Sequence, residues 1–426
     1  MGVQRRATVL LAAGHGSVDI YQGIVPVLVP FLVAQRHYDY LAVSGFVLAA
    51  TVLSSVVQPV FGLLTDRWRM RWLIPVSMLT SGLGVAGVGM ASSYPATCLA
   101  VALSGLGVAA YHPEGARLAR SVTGGGHVEM SWFSVGGNIG FALAPVIATP
   151  VVAIGGLAAT PWLLAPALLG ALLTVPMLVP LTLLSVPMLV PLTLLSVPPR
   201  GRDSRGIAAT AKPVPTGRDD WPAFRTLTAI VALRAVAYTG TSTFLGLFVQ
   251  QRIPHGAAAS GIGLFALYAG GVAGSLLGGR CAVRWGRLPT LRIAYLAASV
   301  AMLGVVFVPG PAVLICIGAA ALALYVPFSL HITLGQDYLP NRIGTASGVT
   351  LGLAVSVGGV FAPALGALAK ATSLQVTLGC LVVLPVLAAL LAGRLREPSA
   401  ESSPRPSASP DQQVGDRVGQ PADRPR

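Results

Sequence analysis

GHGSVDIYQGIVPVLVP, Gly14 to Pro30, decides the fold. It lies in an apolar run from about Ala7 to Phe31, long enough to cross a bilayer as a helix. The run nevertheless carries His15 and Asp19, four residues apart, with Gln22 three further on. At 3.6 residues per turn the three share one helix face. A helix entering at Ala7 sets His15 and Asp19 roughly 12 to 18 Å deep, near the midplane of a ~30 Å hydrocarbon core. A charge there costs about 2.5 to 3.5 kcal/mol on insertion scales, so the face must point at protein or water. Pro26 and Pro30 interrupt the regular bonding and predict a bend. The face reads as functional; the plain alternative is a neutral Asp19 hydrogen-bonded to a neighbour for packing.

The rest of the composition agrees with a membrane span. The chain has 426 residues, 54% hydrophobic and 10% charged, with a mean hydropathy of +0.75. Those values describe an all-α integral membrane protein. The net charge of +14 sits in loops and tail without an aromatic-basic stripe, which argues against nucleic acid and for topology. Cys98, Cys281, Cys316 and Cys380 are scattered without metal-like or disulfide spacing, so no metal site is expected. No GxSxG or HExxH motif argues for an enzyme, and no GxxxxGK[ST] loop argues for ATP drive. Arg5 and Arg6 before the first apolar run resemble half of a signal peptide, but Asp19 and the full spanning length favour an uncleaved first span.

Twelve spans follow from hydropathy: Ala7–Phe31, Leu41–Thr65, Trp72–Ala91, Pro95–Leu118, Met130–Ile154 and Trp162 onward, then Ala223–Val249, Ser260–Val283, Leu288–Val308, Ala312–Leu334, Ile343–Ala369 and Leu374–Leu395. With the N-terminus inside, one set of loops holds only Arg36, Arg252 and Lys370. The other holds Arg67, Arg69, Arg71, Arg120, Arg200, Arg284, Arg287 and Arg342 among others. That asymmetry predicts both termini in the cytoplasm of an inner-membrane protein. Residues 1–197 form a first six-helix bundle, 198–222 a polar cytoplasmic linker, 223–396 a second bundle, and 397–426 a disordered tail rich in Pro, Ser and Asp.

Internal echoes tie the bundles together. SVGG recurs at Ser134–Gly137 and Ser356–Gly359, and Gly62 before Arg67 is echoed by Gly279 before Arg284, at nearly equal offsets. A duplicated six-helix unit explains both. A separate, recent repeat is VPMLVPLTLLS, identical at Val175–Ser185 and Val186–Ser196. With both copies the sixth span would run roughly 55 Å if helical, beyond the hydrocarbon core. Four prolines, Pro176, Pro180, Pro187 and Pro191, predict that the surplus bends along the interface.

After the second span, GLLTDRWRMR (Gly62 to Arg71) resembles the loop signature of the major facilitator superfamily. Gly62 permits close helix approach, and Asp66 can stabilise a neighbouring helix N-terminus. The resemblance implies a conformational latch of Gly62, Asp66 and Arg67, joined by Arg117. The second copy, GRCAVRWGR from Gly279, has Val283 where the acid should be, which puts a latch in the second half in doubt. AYHPEGARLA (Ala110 to Ala119), HGSVDIYQGIVPVLVP, SSVVQP (Ser54 to Pro59) and GQDYLPNRIGTASG (Gly335 to Gly348) together resemble the fosmidomycin-resistance branch of that superfamily. It implies two pseudo-symmetric six-helix bundles working by alternating access.

Several residues carry the chemistry of this reading. Asp19, tuned by His15, is the expected proton carrier, with His112 and Glu114 as further candidates; a structural Glu114–Arg117 pair is the plain alternative. Arg234, midway along the seventh span with Tyr238 one turn beyond, is expected either to pair with Asp19 or to take an anionic substrate. Gln22, Asn138 and His331 complete the expected substrate contacts. The resemblance implies a monomeric, cofactor-free exporter of a small drug-like or anionic compound, driven by protons across the lipid bilayer. Proton-coupled uptake of an organic acid, or a sensor of the same fold that moves nothing, are the alternatives.

Overall fold

The computed structural model describes residues 3–68, 70–123, 127–183, 218–254 and 256–398, and every regular element in it is helical. The first half comprises α1 (Val3–Arg36), α2 (Tyr40–Arg67), α3 (Leu73–Met90), α4 (Tyr94–Thr123), α5 (His127–Gly155) and α6 (Ala165–Leu183). A 3-10 segment, Leu157–Leu164, leads into α6. The second half comprises α7 (Trp221–Arg252), α8 (Gly256–Trp285), α9 (Arg287–Phe307), α10 (Val313–Tyr325), α11 (Phe328–Tyr338), α12 (Ile343–Ala371), α13 (Leu374–Leu381) and α14 (Val383–Ala392). Among the described residues eleven segments are long and apolar enough to cross a membrane, and the shorter apolar Ser356–Ala371 lies within α12. The twelve-span, two-bundle expectation holds, with α10 and α11 sharing the tenth span and α13 and α14 the twelfth.

Helix starts follow local chemistry. Asp39 caps α2 by accepting from Ala42 N at 2.8 Å, and Asp220 caps α7 by accepting from Ala223 N at 3.0 Å. Ser373 does the same for α13 through Val376 N. Two boundaries differ from the sequence expectation for stated reasons. α1 runs unbroken through Pro26 and Pro30 to Arg36, because buried neighbours enforce the helix and each proline removes only its own donor. The tenth span breaks at Val326–Pro327, where Pro327 cannot continue the hydrogen-bond ladder, and its helical part continues to Tyr338. The second copy of the duplication, Val186–Ser196, nearly all of the tail and nearly all of the linker lie outside the described residues, as do the side chains of Asp66 and Arg67.

Small residues set how closely the first half packs. A Cβ on Gly136 would lie 2.2 Å from Ala12 O, and one on Gly140 would lie 2.3 Å from Gly16 O. α1 and α5 therefore touch backbone to backbone, as small-xxx-small helix pairs do in membranes. The halves meet along α2–α12 and α5–α8. Lys370 Nζ is 2.7 Å from Asp39, Gln251 Nε2 donates to Tyr40 Oη at 3.4 Å, and Tyr268 Oη donates to Gly23 O at 3.4 Å. Gly261 abuts Thr149, and Gly366 abuts Ser44. The Lys370–Asp39, Gln251–Tyr40, Gly261–Thr149 and Gly366–Ser44 pairs fall toward the end of the bundle that carries residues 37–39 and 371–373, opposite the start of α1, whereas Tyr268–Gly23 lies midway along α1.

Candidate functional site

α1, α4 and α5 converge on one buried polar cluster. His15 Nε2 stands 3.3 Å from Asp19 Oδ2, His112 Nε2 stands 3.4 Å from Asp19 Oδ1, and the two Nε2 atoms are 3.4 Å apart. Asp19 and His15 are buried, and the His112 side chain is 26% exposed, so the cluster touches its surroundings through His112. Each ring is held from behind. His15 Nδ1 donates to Phe133 O at 2.8 Å, and His112 Nδ1 donates to Val108 O at 2.8 Å. The His15 ring also stacks on Phe133, with centroids 4.3 Å apart.

Those back-side bonds fix the protons. A backbone carbonyl only accepts, so both Nδ1 atoms carry hydrogen and both Nε2 atoms of the neutral rings present lone pairs. With Asp19 ionised, lone pairs from two imidazoles and a carboxylate face one another. A buried arrangement of that kind needs a positive centre between its members.

The backbone approach of α1 to α5 makes room for this arrangement. A Cβ on Gly137 would fall 2.4 Å from Asp19 Oδ2 and 2.7 Å from His15 Cε1, so only glycine fits. Glu114, the other candidate for proton coupling, stands apart from this cluster and forms the alternative pair with Arg117. It is fully buried and bound bidentately by Arg117, with Arg117 Nε donating to Oε2 at 2.8 Å and Nη2 to Oε1. Arg117 is therefore committed to Glu114. Gln22 and Asn138 are half-buried on α1 and α5. Among the described residues nothing stands within 4 Å of a Cβ on Gly62, so the close helix approach expected there is absent.

The second half buries a separate group. Arg234 on α7 is 2% exposed, and its Nε donates to Leu324 O at 2.6 Å. Its guanidinium lies over the rings of Tyr325 at 4.6 Å and Phe328 at 5.2 Å. The anticipated Asp19–Arg234 pair is not formed: Asp19 faces the two histidines, and among the described residues no carboxylate pairs with Arg234. Tyr238 meets Tyr325 edge to face at 4.8 Å. His331 is buried against Tyr295, whose hydroxyl is 2.8 Å from His331 Nε2. Tyr111, Phe133, Tyr295, Tyr325 and Phe328 were not singled out from sequence. Only Tyr111, beside His112, and Phe133, just before SVGG, had a signal in adjoining motifs.

Twelve spans in two halves, each burying polar groups midway along a helix, define a polytopic carrier-type membrane protein. The sequence profile described as Major Facilitator Superfamily matches residues 11–363. The chain belongs to the major facilitator superfamily. It is 27% identical over 399 residues to the fosmidomycin resistance protein of Escherichia coli (strain K12), covering 89% of this chain and 90% of that one. It is 29% identical over 387 residues to an uncharacterised MFS-type transporter, YfnC, of Bacillus subtilis (strain 168), covering 90% and 91%. Among solved structures it resembles a bacterial homologue of the human lysosomal transporter Spinster in an inward-facing, occupied conformation. That match has a TM-score of 0.70 at 16% identity, over 96% of this chain and 100% of that one. The nucleoside transporter NupG matches with a TM-score of 0.68 at 12% identity, over 92% and 98%. These structures share the fold. Like its relatives, the chain is a multi-pass transporter and not an enzyme.

Proposed function

We propose that this chain is a proton-coupled exporter of a small anionic compound, working by alternating access in the inner membrane as a monomer with both termini in the cytoplasm. One observation carries the reading: among the described residues each half buries a charged side chain without a permanently charged partner of opposite sign. The first half holds a carboxylate between two imidazole lone pairs, and the second holds a guanidinium without a carboxylate. A proton between Asp19, His15 and His112 relieves the first. An anionic group of the substrate relieves the second, with Tyr238 nearby and Gln22, Asn138 and His331 as further contacts. The name of the Escherichia coli relative supports export and an antibiotic-like cargo. With the termini inside, the packed face at Asp39 and Lys370 is the external one, and Asp66 and Arg67 would act as a latch on the cytoplasmic side.

The test is reconstitution in liposomes under an imposed pH gradient, with fosmidomycin as the probe and an internal pH dye as the readout. Wild type should couple proton entry to outward movement of the probe. Asp19→Asn, which mimics the protonated acid, should bind probe but move no protons. Proton-coupled uptake would reverse the direction, and probe binding without flux would make the chain a sensor. Uphill transport by Asp19→Asn with unchanged pH dependence would remove Asp19 from the mechanism.

A further inference from the structure

The sequence gives no reason to expect a metal site, since its cysteines are scattered and its histidines lie far apart. The fold nevertheless brings His15, Asp19 and His112 together, their ligand atoms all within 4.8 Å of one another. We infer that this cluster is a binding site for one transition-metal dication of the zinc class, with His15 Nε2, His112 Nε2 and the Asp19 carboxylate as ligands.

Three features of the geometry argue for it. The first is spacing. Two nitrogens at roughly 2.0–2.1 Å from a tetrahedral ion stand about 3.3–3.4 Å apart, and nitrogen–oxygen pairs are similar. His15 Nε2 and His112 Nε2 are 3.4 Å apart, His15 Nε2 is 3.3 Å from one Asp19 oxygen and His112 Nε2 3.4 Å from the other, and one ligand atom from each residue lies within 4.8 Å of the others. These are long for hydrogen bonds but suit ligands sharing a central ion. The second is the fixed tautomer. Metal-ligating histidines usually donate their other ring N–H to a carbonyl or carboxylate, which aims the lone pair at the ion. Both rings do so here, to Phe133 O and Val108 O. The third is an orphan acceptor. Asp19 Oδ1 is buried without a hydrogen-bond partner among the described residues and faces His112.

Two imidazoles and one carboxylate leave a fourth position open, as three-ligand zinc sites do. The partly exposed His112 edge supplies an entry path. Binding places the dication between the three groups and displaces whatever proton they share. Metal and proton are thus alternative occupants of one centre, and this inference rests on geometry and not on the transport reading.

The experiment uses the purified full-length chain in detergent, freed of any affinity tag and stripped with chelator. Zn2+ binding is measured by calorimetry, and Co2+ is added as a visible probe of coordination. Wild type should bind about one Zn2+ per chain and give the intense absorption of tetrahedral Co2+. Asp19→Asn and His112→Gln should each weaken Zn2+ by about 100-fold or more, since even outer-shell losses at metal sites cost 10- to 100-fold. His331→Gln, at a buried histidine in the other half, should leave both readouts unchanged. Gel filtration confirms that each variant is folded. The inference is overturned if wild type binds no zinc, or if Asp19→Asn and His112→Gln, folded, bind it as tightly as wild type does. Proton flux is read on separate liposomes. Absent zinc binding with Asp19-dependent flux removes the metal site alone. Zinc binding with Asp19-independent flux supports the site and removes the proton reading alone.

Discussion

Replacing Gly137 with alanine tests the cluster's geometry directly. The added Cβ would lie 2.4 Å from Asp19 Oδ2 and 2.7 and 2.8 Å from His15 Cε1 and Nε2, where ordinary contact begins near 3.4 Å. Relief therefore requires a displacement of about 1 Å. α1 and α5 cannot separate cheaply, because Gly136 and Gly140 already seat on the backbone of Ala12 and Gly16. The Asp19 side chain must swing, breaking its paired approach to the two histidines. Overpacking of this kind costs about 1–3 kcal/mol, partly offset by the ~1 kcal/mol that alanine gains over glycine in a helix. The fold should survive, while a 1 Å misplacement reduces coupled flux by about 100-fold. Gly279→Ala, with open space around its Cβ, is the control and should leave flux near wild type. The assay is Asp19-dependent proton flux in liposomes beside thermal unfolding in detergent. Coupled flux in Gly137→Ala close to that of wild type would refute the claim that this clearance holds the site.

Arg234→Ala should weaken binding of an anionic probe by about 2–5 kcal/mol, because a buried charged partner is lost; calorimetry with intact fold and unchanged affinity would count against an anion site there. Asp39 has its carboxyl held below the usual carboxylate value, first by the Lys370 hydrogen bond and then by Ala42 N–H. A depressed pKa stabilises above the unfolded value of about 3.9 and is lost only as pH falls through the folded one. Closure of that face should thus be flat from about pH 5 to 8 and loosen only at stronger acid, whereas Lys370→Met should loosen it at neutral pH. Maleimide labelling of a cysteine placed at Gln251 in a cysteine-free background reads this, and labelling that rises in wild type between pH 8 and 5 would contradict it. Deleting Val186–Ser196 should leave insertion and flux near wild type; loss of the folded monomer peak in detergent would show that both copies are needed.

The spans were legible because apolar runs of bilayer length leave few alternatives. Breaks inside spans were not, since Pro327 interrupts its helix while Pro26 and Pro30 do not, and only packing distinguishes them. Half of the site was equally legible. His15 and Asp19 announce themselves by spacing on one helix. His112 joins them from α4 through tertiary packing, which no local pattern encodes. The Asp19–Arg234 pairing failed because depth fixes height within a bundle but not which half a side chain faces. In the sequence Gly137 shows only as the last residue of the first SVGG, yet its missing side chain is what the carboxylate occupies.

The backbone contact between α1 and α5 carries a mechanical consequence. Interlocked side chains can slip by changing rotamer, but two main chains already touching have no such freedom. The pair behaves as one plank, and Asp19, His15, Phe133 and Gly137 ride on it together. Any rocking of one half against the other then transports this assembly whole, as luggage bolted to the deck. The distances within it should stay nearly constant through a cycle, and what changes is the water it meets.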